Sequence, residues 1–445
     1  MANKIILKKS SVPDRVPSAT DLDYGELAIN YADGTIYYKT SGNEVGSIID
    51  SSQIETEIIK SAEVDNVLYV AENGSDNNNG KSLAAPFATI KAAMAAAGTN
   101  TTIYLKSGEY IEDNPVTIPS KVALIGDNLR TTTVKPLNQT SDIFYVNNGC
   151  YVTGITFRDH LSPASAVAFN PNGSAGVIVS SPYIQNCSSI TTTGSGMKID
   201  GSAVSGLRSM VSDSYTQINQ GGKGIHILNK GYAQLVSIFT ICCDVSILCE
   251  SGGQCSVTNS NTSFGTIGLK ATGVSEALIT GSTNGTDQSG NVVVVDGLST
   301  KPSVNDVVQF AGNSEYYTIE TATDLDSGES ILTLSETVND PISDNTTATF
   351  YRRSFISTSG HTFEYVGSGN ELATALPQAG GVPIQENEVV DELGGKVFYT
   401  STDHRGDFRI GGDLTFNRSS GTIEGQTFDR SLFAVLTPYI LALEG

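Results

Sequence analysis

Pro182-Tyr-Ile-Gln-Asn-Cys187, Met210-Val-Ser-Asp-Ser-Tyr215, Leu235-Val-Ser-Ile-Phe239 and Cys255-Ser-Val-Thr-Asn-Ser260 form a series of short segments in which apolar and polar residues alternate. A second series lies between them: Gly196-Met-Lys-Ile-Asp200, Gly224-Ile-His-Ile-Leu228, Asp244-Val-Ser-Ile-Leu248 and Gly268-Leu-Lys-Ala271. Within each series the spacing is 20 to 28 residues, with Gly, Asn and Ser at the corners. Alternation reads as strands that turn one face inward. Their return at this interval is the signature of a solenoid of β coils around one narrow core. The fold class is therefore all-β, a parallel β-helix. Outward from this stretch, Val122-Ala-Leu-Ile-Gly126, Ile143-Phe-Tyr-Val146 and Val152-Thr-Gly-Ile-Thr-Phe157 continue the pattern. Coils are expected across 101–290, about eight of them at roughly 22 residues each.

Composition narrows the function. The chain has 445 residues and a formal charge of -21, with 45 Gly and no Trp. So acidic a chain repels phosphate backbones, and no nucleic-acid partner is expected. No apolar run reaches about 18 residues, so no membrane insertion is expected. The N-terminal Met-Ala-Asn-Lys-Ile-Ile-Leu-Lys-Lys is too short an apolar stretch for a signal peptide, and assembly in a cytoplasm is expected. The six cysteines form no CxxC and no zinc spacing, and they read as buried core residues. No cofactor and no metal site is expected.

Around the solenoid the chain divides into further parts. Residues 1–50 form a small N-terminal unit in which Asp33-Gly34, between two apolar-aromatic runs, predicts a hairpin. A unit this small buries too little core to stand alone, which makes it a docking module. Residues 51–65 predict a short helical neck, with Ile54, Ile58 and Ile59 about one turn apart. Residues 66–100 open the β-helix, and Ala84 to Ala97 predicts a helix that caps its end. Residues 291–355 predict a small antiparallel β domain, and 356–445 a C-terminal β tip or assembly domain. There, Lys396 to Ile410 reads as a hairpin turning at Asp403 to Gly406, and Phe428 to Leu443 as a late helix.

Two resemblances follow from particular residues. Leu68-Tyr-Val-Ala-Glu-Asn-Gly-Ser-Asp-Asn-Asn-Asn-Gly80, Pro86-Phe-Ala-Thr-Ile90 and Ile103-Tyr-Leu-Lys-Ser-Gly-Glu-Tyr110 resemble the first segment of pectate-lyase-like right-handed parallel β-helices. That family implies the fold and its handedness, but its members include lyases, hydrolases and inert fibres. Leu22 to Lys39 is similar to the N-terminal unit of many tailed-phage fibre and baseplate proteins. The segments Ser359 to Gly369, Gly395 to Asp403, Asp407 to Gly411 and Ser420 to Gly425 resemble the C-terminal region of structural proteins of T4-like cyanobacterial phages, as does Gly231 to Gly265. These resemblances imply a virion structural protein of the tail or baseplate. They imply virion docking through Tyr24, Gly25, Glu26, Leu27, Asp33, Gly34 and Tyr37. They also imply a tip or assembly role for His361, Phe363, Tyr365, Phe398, Tyr399, Phe408 and Arg409.

Three functions fit this reading. The first is a homotrimeric tail fibre, tailspike-like or baseplate-associated protein that binds other tail or baseplate proteins at one end and host-surface glycan through exposed Tyr, Asn and Asp side chains. The second is a polysaccharide depolymerase, a lyase or a glycosidase, which needs carboxylates or a basic residue gathered on neighbouring coils. Arg158, Asp159 and His160 are the most reactive-looking cluster; a polar corner or an intersubunit salt bridge is the simpler reading. Asp200, Asp213, Asp244 and Glu250 are further carboxylate candidates, and His226, between Ile225 and Ile227, is expected on the surface or at an interface. His361 and His404, in the C-terminal segments, are the candidates for metal ligation across a trimer axis. The third function is a purely architectural baseplate or collar component.

Overall fold

The computed structural model describes residues 7–48, 66–172, 176–359 and 361, and beyond these the backbone of Thr362–Glu364, Ala373–Thr374, Asn387–Val390, Lys396–Tyr399, Phe408–Ile410, Leu414–Asn417 and Thr422–Glu424. The helical neck expected over 51–65, the turn at Asp403 to Gly406 and the helix expected over Phe428 to Leu443 lie outside the described residues. The chain forms two compact units, one of residues 1–65 with 81–84 and one of 66–80 with 85–445.

In the first unit, Lys8–Ser10, Leu27–Asn30, Thr35–Lys39 and Val45–Ile48 make one four-stranded sheet in chain order. The hairpin turns at Asp33-Gly34, where Gly34 has φ +74°, a conformation that costs glycine nothing. Leu22, Ala28 and Tyr37 are buried together. Strand register puts Leu27, Ile29, Ile36, Tyr38 and Ile48 on the opposite face. Tyr38 and Ile48 are 37% and 50% exposed there, so this face remains open in the isolated unit.

The second unit is a parallel β-helix of about ten turns, in which each complete coil contributes up to three strands. The first row runs from Val67–Val70 through Thr102–Leu105 and Ala123–Gly126 to Phe355–Ser359 and Lys396–Tyr399. Its register stacks Leu68, Ile103, Leu124, Val152, Ile184, Ser212, Leu235, Val257 and Thr358 in one column. Every member of that column is buried. A second row follows the first, and a third row, from Val116–Thr117 to Ala373–Thr374, closes each coil. One residue bends the first row into the second: Gly154, Asn186, Ser214, Ser237 and Asn259 stack at that corner, with φ of 73°, 47°, 55°, 52° and 47°. Glycine is required at 154, where a Cβ would meet the Gly126 carbonyl oxygen at 2.7 Å. Short polar side chains tolerate the left-handed bend at the other four levels. One hydrophobic cluster runs the length of the helix from Leu68 to Ile356. All six cysteines are buried free thiols, and the Sγ atoms of Cys249 and Cys255 lie 3.6 Å apart.

The capping helix is shorter than the sequence suggested, spanning Ile90–Ala96. Its start is fixed by polar groups upstream. The Asp76 carboxylate accepts from the Ala88 and Thr89 amides, and Thr89 Oγ1 accepts from Ala92 N at 3.1 Å as the N-cap. Phe87 N instead donates to Tyr69 O, which holds the chain extended up to that point. Ile90, Ala93 and Met94 enter the β-helix core. Buried Glu112 accepts from Ile90 N and Lys91 N at 2.7 and 3.1 Å.

The largest departure from expectation concerns the antiparallel domain. It is a closed six-stranded barrel of Ile279–Thr283, Gln288–Asp296, Val307–Phe310, Tyr317–Ala322, Ser330–Ile342 and Thr347–Tyr351. It begins near 279, not 291, because Ile279–Thr283 has the composition of one more solenoid row and yet pairs antiparallel with Thr347–Tyr351. Nor does the β-helix end before it. After the barrel, Phe355–Ser359 pairs in parallel with Gln254–Thr258, and Thr362–Glu364 with Asn261–Ser263. The barrel is therefore an insertion between two adjacent coils. Coils that open before residue 101 and continue after 355 raise the count from eight to about ten. Among the described residues the two arms of the expected hairpin, Lys396–Tyr399 and Phe408–Ile410, do not pair with each other. Lys396–Tyr399 pairs with Asn387–Val390 before it, and Phe408–Ile410 with Leu414–Asn417 after it, so the shorter connections win.

Candidate functional site

The outward positions of the first row make a hydrogen-bonded polar surface on the β-helix. Strand alternation that sends Ile184 inward sends Tyr183 and Gln185 outward. Register then builds two outer columns. One carries Tyr151, Tyr183, Val211 and Gln234; the other carries Thr153, Gln185, Asp213 and Val236. The Tyr151 and Tyr183 rings lie 5.8 Å apart. Tyr151 OH donates to Gln185 Oε1 at 2.6 Å, Gln185 Nε2 donates to Asp213 Oδ2 at 3.3 Å, and Tyr183 OH reaches the same oxygen at 3.4 Å. Desolvation first, and then the Asp213 carboxylate, holds the Tyr183 phenol above its ordinary value. One coil on, Tyr232 is 39% exposed and donates to Gln234 Oε1 at 3.1 Å. Towards the N-terminal end, the Tyr69 and Tyr104 rings stack at 6.0 Å, with Tyr104 38% exposed. The two rings are tilted by 52°, and with the Gln185 amide and the Asp213 carboxylate they form one hydrogen-bonded polar surface that carries apolar ring faces beside acceptors. Of these residues only Asp213 was singled out by the sequence. The tyrosines lie far apart in the chain, and only strand register brings them together.

The cluster at Arg158, Asp159 and His160 is taken apart by the fold. Asp159 has φ 65° and points outward to Lys135 Nζ at 3.2 Å, a lysine already 2.9 Å from Glu109. His160 turns inward and is fully buried. Its Nε2 lies 2.8 Å from the Ser195 carbonyl oxygen, and its own carbonyl accepts from Thr191 Oγ1. Burial pushes the imidazole down to about 4, and Nδ1 has no hydrogen-bond partner among the described residues. Arg158 is half-buried on the second row, beside Ile190 of the next coil. No common face holds the three.

The other candidates are scattered. His226 does alternate outward, but it is 8% exposed, a correction to its expected place on the surface. Its Nε2 lies 2.6 Å from Glu250 Oε1 on the next coil, a contact that holds the Glu250 carboxyl below the usual range. Asp200 accepts from Ser202 N and Asn229 Nδ2, each at 2.9 Å, while Asp244 accepts from Gly222 N at a different corner. His361 is fully buried, 3.3 Å from Thr262 Oγ1. Among the described residues no three His, Cys, Asp or Glu side chains form a metal-binding group. Phe363, Phe398, Tyr399, Phe408 and Arg409 fall on backbone strands, while Tyr365 and His404 lie outside the described residues. In the N-terminal unit, Tyr24 is 65% exposed with Lys39 Nζ 4.6 Å from its ring centre. Gly25 takes φ +79°, and Glu26 pairs with Lys8 at 2.7 Å. Tyr37 is buried and Leu27 half-buried, and Asp33 accepts from Asp14 N at 2.8 Å.

Residues 72–270 match the model of a family described as a protein of unknown function, DUF1565. No protein of curated function matches the chain. Among solved structures, pectin methylesterase PemA from Erwinia chrysanthemi is 11% identical with a TM-score of 0.30, over 76% of this chain and 86% of that one. A rhamnogalacturonan lyase is 13% identical with a TM-score of 0.26, over 46% and 70%. ORF18 of Geobacillus virus E2 is 10% identical with a TM-score of 0.25, over 92% and 96%. Likenesses this low carry no argument about activity, and the fold rests on the strand pairing itself.

Proposed function

We propose that this chain is a structural protein of a phage virion, a tail-fibre, tailspike-like or baseplate-associated component that meets the host surface through glycan. In this reading residues 1–50 dock on another tail or baseplate protein, and three copies of the β-helix form a stiff shaft. The observation that carries the reading is the outer face of the first row. Tyr151, Tyr183, Gln185 and Asp213 are locked to one another across three coils, so they meet a ligand with little ordering left to do. The open apolar face of the N-terminal sheet supports a docking role at that end.

The test is binding of the purified full chain to host lipopolysaccharide or capsule, compared with Tyr183→Ala and Asp213→Asn. Each substitution is expected to weaken binding about tenfold or more, about 1.4 kcal/mol. Equal affinity in all three proteins would remove the first-row face from the reading.

A further inference from the structure

One end of the inserted barrel holds an open, mostly polar cleft of about 510 Å³. It lies between the hairpin 311–316 and the far end of the long strand Ser330–Ile342. Phe310 and Tyr317 close its floor, each 1% exposed, with ring centres 5.7 Å apart. Above them stands a fixed polar set. Asn313 Nδ2 donates to Tyr317 OH at 2.7 Å, Tyr317 OH donates to Glu315 Oε2 at 2.9 Å, and Glu315 N donates to Asn313 Oδ1 at 2.8 Å. Asp340 and Asn339 line the other wall. Desolvation first, then the Glu315 hydrogen bond, pushes the Tyr317 phenol up to about 12, so it remains a donor at neutral pH.

We infer that this barrel mouth is a second binding site, and that its ligand is a neutral sugar residue. The site offers acceptors in excess of donors because its two carboxylates, Glu315 and Asp340, only accept, while the Asn313 and Asn339 amides and the hydroxyls of Ser314, Ser343 and Thr346 do both. A ligand rich in donors completes it, and vicinal sugar hydroxyls supply two at the spacing of one carboxylate. No Lys, Arg or His lines the cavity, so phosphate, sulfate and uronate are repelled. The closed ring of hydrogen bonds fixes the Glu315 carboxylate before a ligand arrives. This site goes beyond the first-row face and does not rest on it.

The experiment uses the full chain carrying Tyr183→Ala and Asp213→Asn, so that the first-row face is silenced. Neutral hexasaccharides of glucan, galactan and mannan are presented beside oligogalacturonate and Ca²⁺ alone, read by saturation-transfer NMR and calorimetry. At least one neutral hexasaccharide is expected to bind, with oligogalacturonate at least tenfold weaker. Glu315→Gln and Asp340→Asn should each lower that affinity tenfold or more. Tyr317→Phe keeps the ring in the floor and removes only the hydroxyl; it should weaken binding about fivefold without changing the melting curve. The inference is overturned if no neutral sugar binds, if Glu315→Gln and Asp340→Asn bind as the parent does, or if Ca²⁺ occupies the mouth and sugars do not.

Discussion

His160 is a neutral imidazole sealed inside an acidic molecule, and its environment makes a pH signature. Burial pushes its folded value down to about 4, against an ordinary value of 6.5. As pH falls below 6.5 the unfolded chain takes up the proton first, so this residue's contribution is complete above 6.5 and is lost as pH drops toward 4. At pH 5 the loss is about 2 kcal/mol. Unfolding of the parent chain and of His160→Gln, measured at pH 7 and pH 5, should show a fall in stability that the variant lacks in this part. Identical pH dependence in both would mean that the imidazole is not held neutral. The neighbourhood of His160 also marks where the sequence stops being legible. Tyr215, Gln217 and Asn219 form an internal polar chain, with Asn219 Nδ2 donating to Gly194 O at 2.9 Å. A polar residue inside a solenoid reads from sequence as an outward one, because alternation carries no information about hydrogen bonds made to another coil. His226 misleads for a related reason: its direction follows from Ile225 and Ile227, but the cover over it comes from Glu250, one coil away.

At the level of elements, the rows of the solenoid were legible because each is a short strand whose alternation is complete within itself. The residue types at the corners, Asn and Ser, were legible too, but the exact turning positions were not: Asn186, Ser214, Ser237 and Asn259 each bend the backbone at a single residue inside what reads as one continuous segment. The insertion of the barrel was hidden for a different reason. A strand's partner is not written in the strand, and Phe355–Ser359 pairs with a segment about 100 residues earlier. The chain leaves and returns at one place: Val274 bridges Arg353, and Ser354 N donates to Gly273 O at 3.0 Å. Replacing 275–353 by an Asn-Gly turn should therefore keep the β-helix, with a Tm within about 5 °C of the parent's solenoid transition. Hydrogen exchange at Gln254–Thr258 is the check, since these amides pair with Phe355–Ser359. Loss of their protection in the excised chain would mean that the β-helix depends on the barrel.

At the level of the molecule, the apolar side of the N-terminal sheet and the polar outer face of the first row are both partly exposed among the described residues. Their characters differ, and so do the partners they call for. An apolar sheet face is covered by protein, whereas a wet face of tyrosine, amide and carboxylate stays open to a soluble ligand. The proposed trimer would bring together copies that each carry a formal charge of -21, so its association should strengthen with salt. Sedimentation of the full chain at micromolar concentration should give three times the 46.8 kDa of one copy. A monomer that persists at high salt would contradict a trimeric shaft.

The shared doorway of the barrel also bears on how the last coils are reached in folding. An unfolded loop of about 80 residues must otherwise be closed before Phe355–Ser359 can find Gln254–Thr258. A barrel that has already closed shortens that search to the few residues at its neck, which lowers the entropic cost of closure by about 3 kcal/mol. Three of the barrel's six pairings join strands that are neighbours in the chain, and they shorten the search for the other three, of which Ile279–Thr283 with Thr347–Tyr351 closes the neck. The inserted barrel is thus a clamp in time as well as in space: once closed, it delivers the chain back to the edge of the preceding coil, in register for the next one.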